Sequence, residues 1–394
     1  MALTYSTAGE SHGRAVTATV FGIVHGHKLN LDWINAQLKR RQGGYGRGGR
    51  QKIEHDAAEV LSGLRNGHTI GSPLTLAIFN ADSRIEKSPP VHNVRPGHAD
   101  LAGSLKFGLR DARDVLERAS ARETAARVMA GAAAQSLLAE FDVSVVAHVL
   151  SVGVVDASTP LGDASARIIA DPAGALAVRD RSEFYTLNTA AEARLKAAVD
   201  DAKAKGDTLG GSIEIVATNL PPGLGSYASV QDRLDARLGG AIMGIQAIKA
   251  VEIGMGAQAA RMRGSAVHDP VIKQKRPAVG NNPVPFTRSR NNAGGLEGGI
   301  TNGQPLVVRA HMKPISTLMN PLATVDLSTG KATDANRERS DVCAVPAAAI
   351  VCECAVAFEI ARALLEKTGG DSLHEAKRNL EGYLAQLREY PDGV

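Results

Sequence analysis

The chain has 394 residues, 44% of them hydrophobic and 22% charged, which is ordinary for a soluble globular protein and long enough to bury a sizeable core. Its net charge of +4, from 45 basic and 41 acidic residues, gives no general case for nucleic acid, and aromatics at 4% are too scarce for a base-stacking surface. Three cysteines, Cys343, Cys352 and Cys354, argue against a disulfide framework and fit a reducing cytosol, as buried thiols rather than metal ligands.

In chain order, Met1 to Gly9 lacks a basic segment followed by an apolar stretch, and no run of about 18 apolar residues follows anywhere. The expected location is the cytoplasm, without a membrane span. Val16 to Val24 reads as a strand from its β-branched residues. His68 to Phe79 reads as a turn followed by an apolar run. Ser120-Ala-Arg-Glu123 matches a capping box and predicts a helix running through alanine-rich sequence to about Glu140. Ser144 to Val155 reads as a strand, Leu195 to Lys205 as a surface helix, and Asp207 to Ala217 as a second turn-then-strand segment. A helix is expected from about Ser229 to Ile248, with Asp232 in its first turn. Thr301 to Ala310 repeats the turn-then-strand pattern. A helix that is apolar nearly all round runs from Pro346 to Leu365, which predicts burial, and His374 to Glu389 closes the chain as a surface helix. No linker interrupts this series, so residues 1–394 are expected to form one domain. The echo among the three turn-then-strand segments hints at a duplicated strand–helix unit.

Glycine is high, at 41 residues against about 7% in average proteins, and clusters with the chemistry. In Ala8-Gly-Glu-Ser-His-Gly13 a histidine sits between small residues before a strand, placed to give or take a proton near neutral pH. Lys39 to Arg50 interleaves five cations with five glycines in twelve residues. That loop suits a multiply anionic small ligand, an RGG-like nucleic-acid segment, or plain solvation. In Arg95-Pro-Gly-His-Ala-Asp100 a turn histidine lies beside a carboxylate that can orient its ring. Glu117 to Thr124 joins Arg118 and Arg122 to a capped helix start, which suits an anion or a salt-bridged surface. Asn291 to Gly303 holds four glycines in six residues, spacing that fits a loop pressed on a flat ligand, and Lys313 to Thr317 then offers a cation and hydroxyls. Arg337 to Cys343 leads with Arg339 and Asp341 into the buried helix. No nucleotide-binding fingerprint is present, and His25-Gly-His27 lacks a carboxylate at ligand spacing, so no metal is expected.

Taken together, these segments resemble chorismate synthase. The matches are AGESHG at Ala8 to Gly13, RRQGGYGRGGR at Arg40 to Arg50, RPGHAD at Arg95 to Asp100 and ERASARET at Glu117 to Thr124. They continue with VEIGMG at Val251 to Gly256, NNAGGLEGGITNGQP at Asn291 to Pro305, MKPIST at Met312 to Thr317 and ERSD at Glu338 to Asp341. The resemblance implies an α+β fold, a single-domain β-α-β sandwich, in a homotetramer. It implies an anti 1,4-elimination of phosphate from 5-enolpyruvylshikimate 3-phosphate, giving chorismate, with reduced FMN required. By the same match His12 is the acid toward the departing phosphate, His98 holds or protonates the reduced flavin, and Asp341 is part of the route for the C6 proton. Flavin contacts fall on Arg118, Ala119, Ser120, Gln246, Ala247, Gly298, Lys313, Pro314, Ile315, Ser316, Thr317 and Arg339, with Gln246 standing where many members have Asn. Arg40, Arg47 and Arg50 face substrate phosphate and carboxylate, in a loop where some members are assigned NADPH. Nothing resembles a fused flavin reductase domain, so an external flavin reductase is the implied functional partner, with no nucleic acid and no membrane.

Overall fold

Along Ala15–Phe21, Val16, Ala18 and Val20 are buried while their neighbours are less so, the period-two signature of a strand with one face on a core. This strand, β2, pairs antiparallel with β1 (Thr4–Ala8) in the register Thr4 to Phe21 through Ala8 to Thr17. The chain is seen here as a computed structural model that describes residues 2–48, 55–158, 163–273, 280–338 and 340–389. After β2 come helix α1 (Leu31–Gln42) and strands β3 (Glu59–Ser62) and β4 (Leu74–Phe79). The four strands form an antiparallel sheet in the order β1-β2-β4-β3. Two short helices, α2 (Asp100–Phe107) and α3 (Arg113–Ala119), precede the long α4 (Thr124–Ala139).

The second half repeats this plan. Strand β5 (Ser144–Val152) turns into the short β6 (Val155–Asp156), and helices α5 (Asp163–Ala170), α6 (Pro172–Arg181) and α7 (Glu192–Ala204) follow. Then come β7 (Gly211–Thr218), α8 (Leu234–Met243), β8 (Ile248–Ile253), β9 (Leu306–Met312), α9 (Val345–Thr368) and α10 (Leu373–Arg388). The second sheet has the order β8-β9-β7-β5-β6 and is antiparallel throughout. Leaving aside the β6 extension, both sheets place their first, second, fourth and third strands side by side. In each half a helix follows the second strand and another follows the fourth. The duplicated unit hinted at in the sequence is thus visible in the topology. The echo itself was partly misaligned: His68 to Phe79 and Thr301 to Ala310 lead into equivalent fourth strands, whereas Asp207 to Ala217 leads into a second strand.

Helices α1, α4, α8 and α9 pack in one layer between the two sheets, and a continuous apolar core runs through both halves. The α9 helix is buried over nearly its whole length, including Cys352 and Cys354, and all three thiols are free. Burial pushes the Cys343 thiol up to about 11 and the Cys352 thiol up to about 12, so neither is a ready nucleophile. At the α4–α9 crossing Gly131 has no room for a side chain: a Cβ there would lie 2.4 Å from both Cβ and O of Cys354. The result is an α+β sandwich with helices as its filling.

Several boundaries differ from the sequence expectation. Strand β2 stops at Phe21 because Gly22 turns at φ +75°. The Ser144 to Val155 run is a hairpin, broken at Gly153. Ser120 caps only a single 3₁₀ turn, accepting from Arg122 N, and the Glu123 side chain goes instead to Thr7 and Arg127, so the expected capping box is absent. A capping box does form at Ser372 and Glu375, starting α10. Helix α8 is shorter than Ser229 to Ile248, since Ser229 and Asp232 close a turn on each other and Ala247 sits at φ +68°. Among the described residues no helix is long and apolar enough to cross a membrane.

Candidate active site

The turn joining β1 to β2 carries His12. Gly9 makes this turn at φ +103°, with a would-be Cβ 2.1 Å from Ala15 O, so no other residue fits there. The histidine is buried, and its ring Nδ1 lies 2.9 and 3.1 Å from the two oxygens of Glu117 on α3. The same carboxylate accepts from His12 N at 2.8 Å and from Arg113 Nη1 at 3.4 Å, while Arg113 also reaches Glu338 at 3.6 Å. On the other side, His12 Nε2 is 3.8 Å from Asp82. Asn80 ties the turn down from below, donating to Gly13 O at 2.8 Å and accepting from Arg122 Nε at 2.9 Å.

His98 repeats the device. Its Nδ1 donates to Asp100 Oδ1 at 2.5 Å, and Asp100 is gripped by Arg95 through Nε at 2.8 Å and Nη2 at 3.0 Å. Burial pushes the Asp100 carboxyl up, but the hydrogen bonds from His98 and Arg95 outweigh it and hold the group well below the usual carboxylate range. Arg95 Nη1 continues to Thr317 Oγ1 at 3.1 Å, and Ser316 Oγ donates to Gly97 O at 2.9 Å, with Lys313 Nζ on the same carbonyl. The turn bearing His98 is therefore clamped to the segment after β9. Within that segment Ile315 O accepts from Thr208 Oγ1 at 2.8 Å, and Gly210 lies so close under Lys313 and Pro314 that a Cβ would collide with them.

Asp341 is held by the glycine–arginine loop. Its carboxylate accepts from Arg47 Nη1 at 2.7 Å and from Gly48 N at 2.6 Å, and Val342 N donates to Gly46 O at 2.8 Å. Arg40 goes elsewhere: it pairs with Asp180 through Nε at 3.0 Å, donates to Gln37 at 3.1 Å and stacks on Trp33. Arg47 keeps a buried Nε without a hydrogen-bond partner. Arg50 and Arg339 lie outside the described residues.

The remaining expected flavin residues divide among three places. Gln246 Nε2 donates to Glu123 at 3.2 Å, and Ala247 O accepts from Lys313 N at 2.9 Å, which puts Gln246, Ala247 and the Lys313 to Thr317 segment side by side. Ala119 ends α3, Arg118 bonds to Thr7 and to Gly9 O, and Ser120 Oγ donates to Ser11 Oγ at 3.2 Å, so this trio adjoins the His12 turn. Gly298 stands apart. Its hairpin bonds to Leu234 at the start of α8, about 15 Å along that helix from the turn that carries Gln246. Near that hairpin Ile253, Met255, Val267, His268 and Glu297 line a cavity of about 480 Å³.

In the sequence Glu117, Arg95, Arg113 and Asp82 carry no expected role, and Arg122 stands only as charge at a helix start, not as part of a buried trio with Arg41 and Asp56. Arg122 Nη1 is 2.6 Å from Asp56 and Arg41 Nη1 is 3.5 Å from it; burial brings the Arg41 guanidinium down to about 10. Two arginines on one carboxylate leave a net positive charge beneath the His12 turn. Among the described residues no cluster of three or more His, Cys, Asp or Glu stands ready for a metal.

The comparisons with known proteins point the same way. The family model for chorismate synthase matches residues 3–365. A chorismate synthase of Geobacter metallireducens is 50% identical over 98% of this chain and 100% of its own length, and one of Mycolicibacterium smegmatis is 49% identical over 98% of each. A crystal structure of chorismate synthase superposes with a TM-score of 0.80 at 38% identity, covering 99% of both chains. With the family's motifs placed in one fold and the match running end to end, the chain belongs to the chorismate synthase family, the lyases of the shikimate pathway.

Proposed function

We propose that the chain converts 5-enolpyruvylshikimate 3-phosphate to chorismate and phosphate by anti 1,4-elimination, with reduced FMN held between the His98 turn, the Lys313 to Thr317 segment and the Gln246–Ala247 turn. The observation that carries this reading is the pair of histidines, each with Nδ1 committed to a buried carboxylate that an arginine also grips. In such a pair Nε2 is the nitrogen left for a ligand.

The residues present fit a flavin phosphate and ring. Gln246 Oε1 is buried without a hydrogen-bond partner, so the amide has unused accepting capacity. Lys313 supplies a cation, and Ser316 and Thr317 supply hydroxyls. When bound, reduced FMN supplies transient electron density to the substrate's allylic system, with no net redox change. Phosphate departs with the electrons of its C–O bond, and the C6 proton leaves from the opposite face. His12 gives a proton toward the departing phosphate oxygen through Nε2. Arg47 and the Arg41–Arg122 pair draw the substrate's anionic groups into the site. His98 would give a proton to the reduced flavin, and Asp341, oriented by Arg47 and Gly48 N, takes part in relaying the C6 proton. Arg40, already committed to Asp180 and Gln37, shapes the loop, and Arg47 is the arginine with a donor to spare.

The reaction belongs to the cytoplasm on this reading, with reduced flavin delivered by a separate reductase and NADPH as the source of reducing equivalents. The three free, buried thiols support a reducing compartment. A homotetramer would cover exposed apolar side chains such as Leu105, Phe107 and Val271. The test is anaerobic: protein, substrate and chemically reduced FMN are mixed, and chorismate and phosphate are followed together against an oxidised-FMN control. Equimolar products only with reduced flavin are expected. Phosphate without chorismate, or chorismate with oxidised flavin, would refute the proposal.

A further inference from the structure

Glu117 is a carboxylate with a fully buried side chain, on a short helix beside the His12 turn. Burial pushes its carboxyl up, but hydrogen bonds from the His12 ring and backbone, with the charge of Arg113, outweigh that and hold it below the usual glutamate range. An ionised carboxylate only accepts hydrogen bonds. His12 Nδ1, 2.9 Å from Glu117 Oε1, must therefore carry a hydrogen, whatever the protonation of the rest of the ring.

We infer that Glu117 is a positioning residue for the elimination: it fixes the tautomer and plane of His12 so that Nε2, on the side of Asp82, is the atom presented to the departing phosphate. The inference rests on the proposed role of His12 as acid. When the ring gives its Nε2 proton to the phosphate oxygen, Nδ1 stays protonated on Glu117, and the ring ends neutral in a single tautomer. The Glu117 charge balances the ring before transfer and orients it after. The carboxylate has a second duty, anchoring the turn through His12 N at 2.8 Å, helped by Ser11 N on Glu117 O at 3.0 Å. The experiment has to separate the two.

Glu117→Gln does so. The amide oxygen still accepts from His12 N, while the amide nitrogen donates to Nδ1 and moves the neutral ring's hydrogen to Nε2. The protonated ring loses its counter-charge. Side-chain ¹⁵N NMR of the whole protein should show Nδ1–H in the wild type and Nε2–H in Glu117→Gln. Turnover should fall about 100-fold, with FMN affinity and substrate KM within about threefold of wild type. In a His12→Ala background the same substitution should cost nothing further. Should Glu117→Gln not fold, Glu117→Asp keeps the charge and should retain the Nδ1–H tautomer. The inference is overturned by an Nε2–H tautomer in the wild type. Wild-type turnover in Glu117→Gln, an equal loss in the His12→Ala background, or a loss that tracks weakened FMN binding would each overturn it as well. Failure of the wild type to form chorismate would instead remove the functional reading, because the tautomer is measured without substrate.

Discussion

His12 and His98 lie on different turns, yet each has its ring fixed by a carboxylate that the histidine's own hydrogen bond and a neighbouring arginine hold below its usual range, Arg113 beside Glu117 and Arg95 beside Asp100. Locking the ring at Nδ1 leaves the Nε2 of His12 on the side of Asp82, and the Nε2 of His98 with only Arg95 Nη2 at 3.4 Å. Truncating either ring should therefore remove proton handling and leave the flavin-holding backbone in place. His12→Ala and His98→Ala are expected to bind FMN within a few-fold of wild type while losing roughly 10²-fold or more in turnover, measured by flavin titration and by anaerobic chorismate formation. Full activity in either variant would strike that histidine from the mechanism. The two devices were unequally legible in the sequence. Asp100 stands two residues from His98, and the motif alone suggests that it orients the ring. Glu117 is 105 residues from His12 and Arg47 is 294 from Asp341, so no local spacing joins those pairs; only the fold does.

At the scale of elements, what the sequence disclosed was burial, and what it concealed was how elements end and meet. The apolar run from Pro346 correctly implied a buried helix, and α9 is that helix. Its partner α4 was also foreseen, but the reason for their close approach, Gly131 against Cys354, depends on pairing across the fold. Gly131→Ala would gain about 1 kcal/mol of helix propensity but drive a Cβ into a backbone oxygen that cannot rotate away, an overpacking cost of about 1–3 kcal/mol. A net loss is expected, read as a lower urea midpoint with unchanged slope. The same seam hides a charge. Glu353 and Arg179 are both fully buried and 2.5 Å apart, and Glu353 also accepts from Gln37, Gln135 and Ala147 N. Glu353→Ala removes the fully buried counter-charge of Arg179, leaving it only the half-buried Asp180, and takes an acceptor from Gln37, Gln135 and Ala147 N, so a loss of roughly 3 kcal/mol is expected in the same denaturation experiment.

For the whole molecule, the duplicated plan explains where the site lies. In the first half, the connection from α1 to β3 carries Arg47, and that from β4 to α4 carries His98 and Ser120. In the second half, the equivalent connections carry Gln246 with Ala247, and Lys313 to Thr317 with Asp341. Two unlike sets of residues on one repeated frame are thus brought together around a shared helix layer. That layer is also where acid should act first. His27, in the connection from β2 to α1, is fully buried, with Nε2 on Ser136 of α4 at 3.0 Å and Nδ1 3.8 Å from Glu140, which Lys377 of α10 also holds. Burial brings His27 down to about 4; Glu140 pulls the other way, and His68 and Lys377 add to the lowering. Above the ordinary histidine value of about 6.5 the ring is neutral folded or unfolded, and there is no penalty. As pH falls below that, the unfolded chain takes up a proton that the folded one refuses until about pH 4. Between pH 7.5 and 5 this difference should remove about 2 kcal/mol of stability. Urea denaturation of the wild type and of His27→Gln at both pH values isolates the effect, because the other titrating groups are common to both. The wild type should lose about 2 kcal/mol more than the variant over that interval; equal losses would mean that His27 takes up its proton within the folded protein.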